Sequence, residues 1–469
     1  NIFTRYKRFR YCSVFCLFAM SRIVRSSKYR HVFGNAEKKE NCFDGVKVSG
    51  SAWDSNKVAA SNKFVAAIWE AGGGGSFACI ANENNGKLGT IPLVVGHKGK
   101  VLDVNFSPFN DNLVASVSED GNGRIWSIPE GGLTENLVDP TQTLIGHKRK
   151  VGSCNFHPTA DNILATSSTD YTIKIWDIEK GEAACNVTGH SDIIQSVDWN
   201  YDGSLLATTS KDKKIRVIDP RQNSVTAEAT GHPGVKGSRC IWLGEKGNIF
   251  NVGFSRSSDR CYSILDPRKL DTPIVKQNID TSSGILMPFY DNDTNLLFMA
   301  GKGDGNIRYY EIADESPYIH YISDYKSSTP QLGMCMRPKT ACDVASCEVV
   351  SMVKACKTSL EPIHFCVPRK SELFQDDIFP DTPGPDPAMS SSEWLGGANK
   401  NPIKVSLEGG FVAKAKPEFK PIAVKEVKEE KEKTLPEYKT EVADLNKRVA
   451  YLEAEIVKKD ARIKELEGQ

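Results

Sequence analysis

Three Gly-His pairs in this chain are each followed by an aspartate in a polar turn: His97 with Asp120, His147 with Asp170, and His190 with Asp212. Beside a Ser or Thr hydroxyl, a His–Asp pair can activate a nucleophile, with the imidazole as base and the carboxylate as its support. Recurrence argues against that chemistry. The same pair returns in every well-formed copy of one segment, so it reads as structure. It is a buried hydrogen-bonded chain of His, Ser or Thr, Asp and Trp, with Trp126 and Trp176 completing the first two sets. The third set carries Ile218 in the Trp place, and its chain is expected to be shorter.

Other reactive groupings are weaker. No GxxxxGK[ST], HExxH, GxSxG or paired CxxC motif occurs. The stretch DNDTNLLFMAGK begins like a calcium loop, but Leu296 replaces the turn glycine and Lys302 the terminal glutamate. Gly301, Gly303 and Gly305 precede a strand rather than a helix, which suits a hairpin turn better than a phosphate cradle. Cys335, Cys342, Cys347 and Cys356 are too unevenly spaced for a zinc site. No catalytic residue, metal site or cofactor is expected, and the chain does not read as an enzyme.

The elements that must position the His–Asp pairs are short alternating strands. In SSTDYTIKIWDI, residues 167–178, Ile173 and Ile175 alternate with polar neighbours before Trp176-Asp177. Similar segments start at Gly96, Gly146 and Gly189, and a weaker copy starts at Gly231, giving spacings of 50, 43 and 42 residues. A Gly-His to Trp-Asp signature at this period marks the blade of a β-propeller. One twisted four-stranded sheet cannot bury both of its faces alone, so such sheets stack radially and the ring closes. Degenerate blades account for the rest: a hairpin at 64–83 turning at Gly72–Gly75, the Asp304 turn within 296–312, a strand at 319–325, and apolar stretches up to Val367. YRHVFG, residues 29–34, is placed to complete the last blade. At ~45 residues per blade, residues 29–367 hold seven or eight. Seven is the expectation, because the first and last blades look padded. The fold class is therefore all-β, a seven-bladed WD-repeat propeller over 20–367.

Composition limits the partners. The net charge of +1 predicts neither a nucleic-acid nor a membrane partner, so any basic site is local. Thirteen cysteines without regular spacing read as reduced thiols of a cytoplasmic protein. Residues 1–19, with basic RYKRFR before apolar YCSVFCLFA, outline a signal peptide, but Met20 begins a self-sufficient segment. We read 1–19 as upstream or non-native sequence. The apolar run is far short of the ~20 residues of a membrane-spanning helix.

Beyond the propeller the composition changes twice. Residues 368–411 are rich in Pro, Asp and Ser but keep isolated Phe, Ile and Trp anchors, which suits an extended arm packed on the ring. Residues 412–434 are Lys/Glu-rich without an apolar period and read as a disordered linker. A heptad pattern then runs through 435–469. Its a positions are Val442, Val449, Ile456 and Ile463, and its d positions Leu445, Leu452, Lys459 and Leu466. β-Branched a with Leu d favours a dimer, whereas Arg448 and Glu453 in RVAYLE match the pattern of short parallel trimers.

SRIVRSSKYRHVFG near the start, GFSRSSDR (253–260), PYIHYISDY (317–325), VPRKSELFQDDIFPDT (367–382) and the terminal coiled coil resemble coronin, in its short single-propeller form. The resemblance spans Met20 to the C-terminus. It implies a propeller that binds F-actin, a coiled coil that makes a homotrimer or dimer, and dealings with the actin-related-protein nucleating complex and with cofilin. It also implies a place in the cytoplasm, at the actin cytoskeleton and cell cortex. Actin filaments are acidic, so basic loops on one propeller face would complement them. Residues 20–50 hold seven Lys/Arg against three Asp/Glu, and Arg25, Lys28 and Arg30 are the candidates there. HKRK (147–150) and KDKKIR (211–216) add charge at blade turns, the latter through Lys211, Lys213 and Lys214. The family's basic residue between the first arm and the first blade falls on Lys47; against an arginine, lysine keeps the charge but loses the planar fork. The alternative function is a generic WD-repeat adaptor in another complex.

Overall fold

Strand periodicity builds seven blades, six of them four-stranded antiparallel sheets and the seventh part of a six-stranded sheet that also takes in Phe43–Asp44 and Gly86–Lys87. The computed structural model describes residues 26–72, 75–371, 373–411, 416, 418–422, 447–450, 452, 454–456 and 458–459. Blade one spans 58–97, two 101–144, three 151–187, four 194–230, five 239–280 and six 286–326. The stretch 167–178 holds the end of the second strand of blade three, Ile163–Ser168, the Asp170 turn and the whole third strand, Ile173–Asp177. Ile173, Ile175, Trp176 and Ile178 are all buried, as their alternation and the stacking of sheets require.

Ring closure uses the front of the chain. Gly333–Met336, Glu348–Ala355 and Ser359–Cys366 form three strands of blade seven, and Phe33–Ala36 pairs antiparallel with the third, Phe33 opposite Cys366. The N-terminal strand thus lies at 33–36, a few residues beyond the 29–34 expected, because Tyr29 and Val32 instead bury themselves in the core between blades six and seven. His364 fastens the joint, with Nε2 3.0 Å from Glu37 and Nδ1 2.5 Å from Glu348.

Neighbouring blades are also locked near the axis. Asp103 of blade two accepts from the Cys154 amide of blade three at 3.2 Å. Asn155 of blade three donates to the Val197 carbonyl of blade four at 2.7 Å, and Asp198 of blade four accepts from the Trp242 amide of blade five at 2.7 Å. Burial pushes both aspartates up to about 7.

Residues 368–411 run across the end of the ring opposite the His–Asp turns. Ile378, Phe379 and Leu407 are buried with the blade-six and blade-seven core. Further on, Ser390 caps the helix Ser391–Leu395 with a reciprocal Ser390–Glu393 capping box. That helix buries Trp394, whose indole N–H donates to the Gly203 carbonyl at 3.0 Å and whose ring meets His157 and Trp199 edge-on. The Arg221 guanidinium lies 5.1 Å from the indole centroid. The described residues fall into two units, divided after Pro421. No helix among them is long and apolar enough to cross a membrane.

Candidate functional site

Each His–Asp set joins the loop entering a blade to that blade's own second strand. In blade two, His97 Nε2 lies 2.7 Å from Ser116 Oγ, Trp126 Nε1 donates to the same hydroxyl at 2.8 Å, and His97 Nδ1 faces Asp120 at 3.0 Å. Blade three repeats this with His147, Thr166, Trp176 and Asp170 at 2.9, 2.8 and 3.0 Å. Burial lowers the pKa of both histidines against the pull of their aspartates. Burial works to raise Asp170 as well, but hydrogen bonds from Thr172, the Lys148 amide and His147 outweigh it and hold it at about 2. The imidazoles are 1% and 2% exposed, so these sets face no space for a substrate.

Blade four departs from the pattern in a way the missing Trp alone does not explain. His190 Nε2 keeps Thr208 Oγ1 at 3.0 Å, but its Nδ1 has no hydrogen-bond partner. Asp212 turns instead to Arg216 at 2.7 Å and to Ser191 at 2.9 Å. The chain is broken at the His–Asp step as well as shortened at Ile218. Burial, with repulsion from Arg216, takes His190 down to about 4. A basic residue stands four places after the turn aspartate in all three blades, so the sequence alone does not single out blade four. Arg124 contacts both Asp120 and His97, whereas Lys174 in blade three reaches away to Asn186.

The turns that hold these aspartates define one end of the ring, and its loops are basic from blade one to blade four. Lys98, Lys100, Lys148, Arg149, Lys150, Lys211 and Lys213 are exposed there, against exposed Asp54, Glu70 and Glu119, the last of which pairs with Lys150 at 3.5 Å. Lys214 is exposed but paired with Glu228. Lys47 belongs to the same end: its carbonyl accepts from the amide of Glu70, in the turn between the second and third strands of blade one. Lys28 and Arg30 do not. Ser27 bonds Glu311 near the far end of a blade-six strand, and Lys28 Nζ is engaged by the Asp377 carbonyl of the arm. The expectation of one basic face is corrected here: residues 26–32 are held at the opposite end by Tyr29 and Val32, whose burial the basic pattern concealed. Arg25 lies outside the described residues.

Residues 49–57 form a strap across the mouth of the ring that the strand patterns did not disclose. Trp53 Nε1 donates to the Gly152 carbonyl of blade three at 2.8 Å. Arg239 of blade five donates to Asn56 at 2.6 Å, Lys302 of blade six to Asp54 at 3.0 Å, and the Met334 amide of blade seven to the Asn56 carbonyl at 3.0 Å. Lys57 closes the strap on itself through the Ser49 carbonyl at 2.9 Å, and burial lowers its pKa to about 8. A lone Trp in the otherwise polar run SGSAWDSNK was the available signal.

In the tail, 447–450, 452, 454–456 and 458–459 are helical, and Val449, Leu452 and Ile456 form an apolar stripe with each side chain at least half exposed. Arg448 is exposed beside it. Val442, Leu445, Glu453, Ile463 and Leu466 lie outside the described residues.

Seven blades, a buried His–Ser/Thr–Trp–Asp set and a basic loop end define a WD-repeat β-propeller. A family model for the WD domain, G-beta repeat, matches residues 88–127, 138–177 and 181–219, and another described as a type of WD40 repeat matches 360–402. A domain of unknown function (DUF1899) matches 22–87, which includes the strap and Lys47. The WD40 domain of Toxoplasma gondii coronin superposes with a TM-score of 0.77 at 33% identity, covering 81% of this chain and 98% of that one. A chain of the mitotic checkpoint complex shares the fold at a TM-score of 0.55 and 14% identity, over 78% of this chain and 100% of its own. Coronin-A of Dictyostelium discoideum is 54% identical over 448 residues, 95% of this chain and all of that protein. The chain belongs to the coronin family.

Proposed function

We propose that this chain is an F-actin-binding scaffold, with the basic loop end as its filament-binding surface. It oligomerises through its C-terminal coiled coil, bundles or cross-links filaments at the cell cortex, and modulates actin dynamics with the actin-related-protein nucleating complex and cofilin. The observation that carries the reading is the grouping of exposed Lys47, Lys211 and Lys213 at one end of a coronin-family propeller. An acidic filament surface is the complement such a grouping suits.

High-speed cosedimentation with F-actin across a salt series tests it. Lys47→Asp, and separately reversal of Lys211, Lys213 and Lys214, should each weaken binding with an unchanged melt. Wild-type binding should fall as salt rises through physiological strength, where screening acts over about 8 Å. No cosedimentation at low salt would favour the adaptor reading.

The apolar stripe supports the oligomer. One propeller offers one filament site, whereas two or three propellers joined through their tails can gain ~10²–10⁴ in avidity. Leu452→Asp places a charge in the seam and should give monomers by sedimentation velocity. Those monomers should bind filaments more weakly and no longer bundle them.

A further inference from the structure

At the mouth of the ring, beside the strap, a groove of about 390 Å³ combines apolar walls with a charged lining in which Lys150, Lys211 and Arg239 outnumber Asp54 and Glu119. Trp53 of the strap, Ile193 on the loop into blade four and Ile285 on the loop into blade six supply the walls. Lys150 and Lys211 stand at the rim from blades three and four, both exposed. Lys150 shares Glu119 at 3.5 Å, and Lys211 Nζ has no ion-pair partner among the described residues. The volume lies in the range of sites that bury a small ligand or a few side chains. Gly237 keeps the groove open: a Cβ there would meet the Ile285 Cδ1 at 3.0 Å and approach Asp54 and Gln195.

We propose that this groove is a docking site for a short peptide segment that presents an apolar side chain between carboxylates. The apolar residue seats against Trp53, Ile193 and Ile285, where it is removed from water. Its acidic neighbours reach Lys150 and Lys211. Charge complementarity selects an acidic segment over a basic one, and the apolar walls select against a purely polar one. The strap takes part, since Trp53 is fixed to blade three by its bond to the Gly152 carbonyl. The site is a concave groove and needs no filament, so it is independent of the filament reading.

Fluorescence anisotropy on the full chain, without actin, tests this with fluorescein-labelled Glu-Asp-Leu-Ile-Asp-Glu. Saturable binding is expected. Glu-Asp-Ser-Ser-Asp-Glu and Lys-Lys-Leu-Ile-Lys-Lys should each bind at least about tenfold more weakly. Lys211→Glu should weaken the first peptide by a similar factor. Gly237→Leu should abolish its binding by filling the groove, and Ile285→Glu serves the same purpose should Gly237→Leu lower the melting temperature. Absence of binding, equal binding of the Ser-Ser peptide, or wild-type binding in a folded groove variant would overturn the proposal. Loss of filament binding alone would leave these titrations unchanged, so the two readings fail separately.

Discussion

Blades three and four are built from the same repeat yet spend the same aspartate differently. In blade three Asp170 supports His147, and Thr166 takes both the imidazole and the Trp176 indole. In blade four Asp212 holds Arg216, while His190 is left with Thr208 alone. Both arrangements close the turn between the second and third strands. Blade three does so with a carboxylate hydrogen-bonded to a neutral imidazole, whereas blade four pairs its carboxylate with a buried guanidinium and leaves a histidine half satisfied. The repeat motif therefore specifies the turn, and the residues around it decide whether the turn rests on hydrogen bonds or on charge.

The same substitution in the two blades should expose this difference. Asp212→Ala leaves the Arg216 guanidinium, 2% exposed, with only the half-exposed Glu228 as counter-charge. Removing one member of a buried pair costs roughly 3–5 kcal/mol. Asp170→Ala leaves a neutral His147 short of one partner, which costs about 1–3 kcal/mol. Denaturant unfolding of the two variants should rank them in that order. Equal losses would mean that the Arg216 pair is solvated in solution and that the contrast between the blades is one of geometry only.

Acid should separate the blades next. The unfolded chain protonates its histidines near 6.5, while folded His190 resists protonation down to about 4. A depressed histidine favours the folded state fully above 6.5, and that advantage is lost as pH falls from 6.5 towards 4. Asp103 and Asp198 act in the opposite sense: held protonated up to about 7, they favour the folded state at low pH and lose that effect as pH rises from about 4 through 7. The wild-type melting temperature sums these trends. Comparison with His190→Asn isolates the histidine, and the variant should lose less stability than wild type between pH 6.5 and 4.5.

What was legible in the sequence followed the same division. The Gly-His spacing and the strand alternation were enough for the ring and for the buried sets of blades two and three, because period-2 patterning and a recurring turn are local signals. Asp212's partner was not read, because choosing between His190 and Arg216 depends on side chains that meet only after the strands pair. The strap was not read either: Trp53, Asp54 and Asn56 gain their partners from blades three, five, six and seven, 99 or more residues away for Trp53 and Asp54. Lys28 and Arg30 looked like members of the basic face because charge is visible in a sequence, while the burial of Tyr29 that turns them to the other end is not.

The smallest expected effect addresses the turn backbone itself. Lys213 in blade four sits at φ 67° and Tyr171 in blade three at φ 71°, where blade two has Gly121. A side chain in the left-handed region costs about 1–2 kcal/mol, and glycine removes that cost but loses more entropy on folding. Lys213→Gly and Tyr171→Gly should therefore each raise stability slightly, by about 1 kcal/mol or less. Their functional consequences should differ. Tyr171→Gly removes no charge and should leave filament binding as it was, whereas Lys213→Gly removes one cation from the proposed surface and should lower affinity while the protein becomes more stable. Lys213→Asn provides the control, since Asn tolerates the left-handed conformation and also lacks the charge. If both Lys213 variants bound F-actin as wild type does at low salt, the lysine would serve the turn only, and the filament surface would have to rest on Lys47 and Lys211.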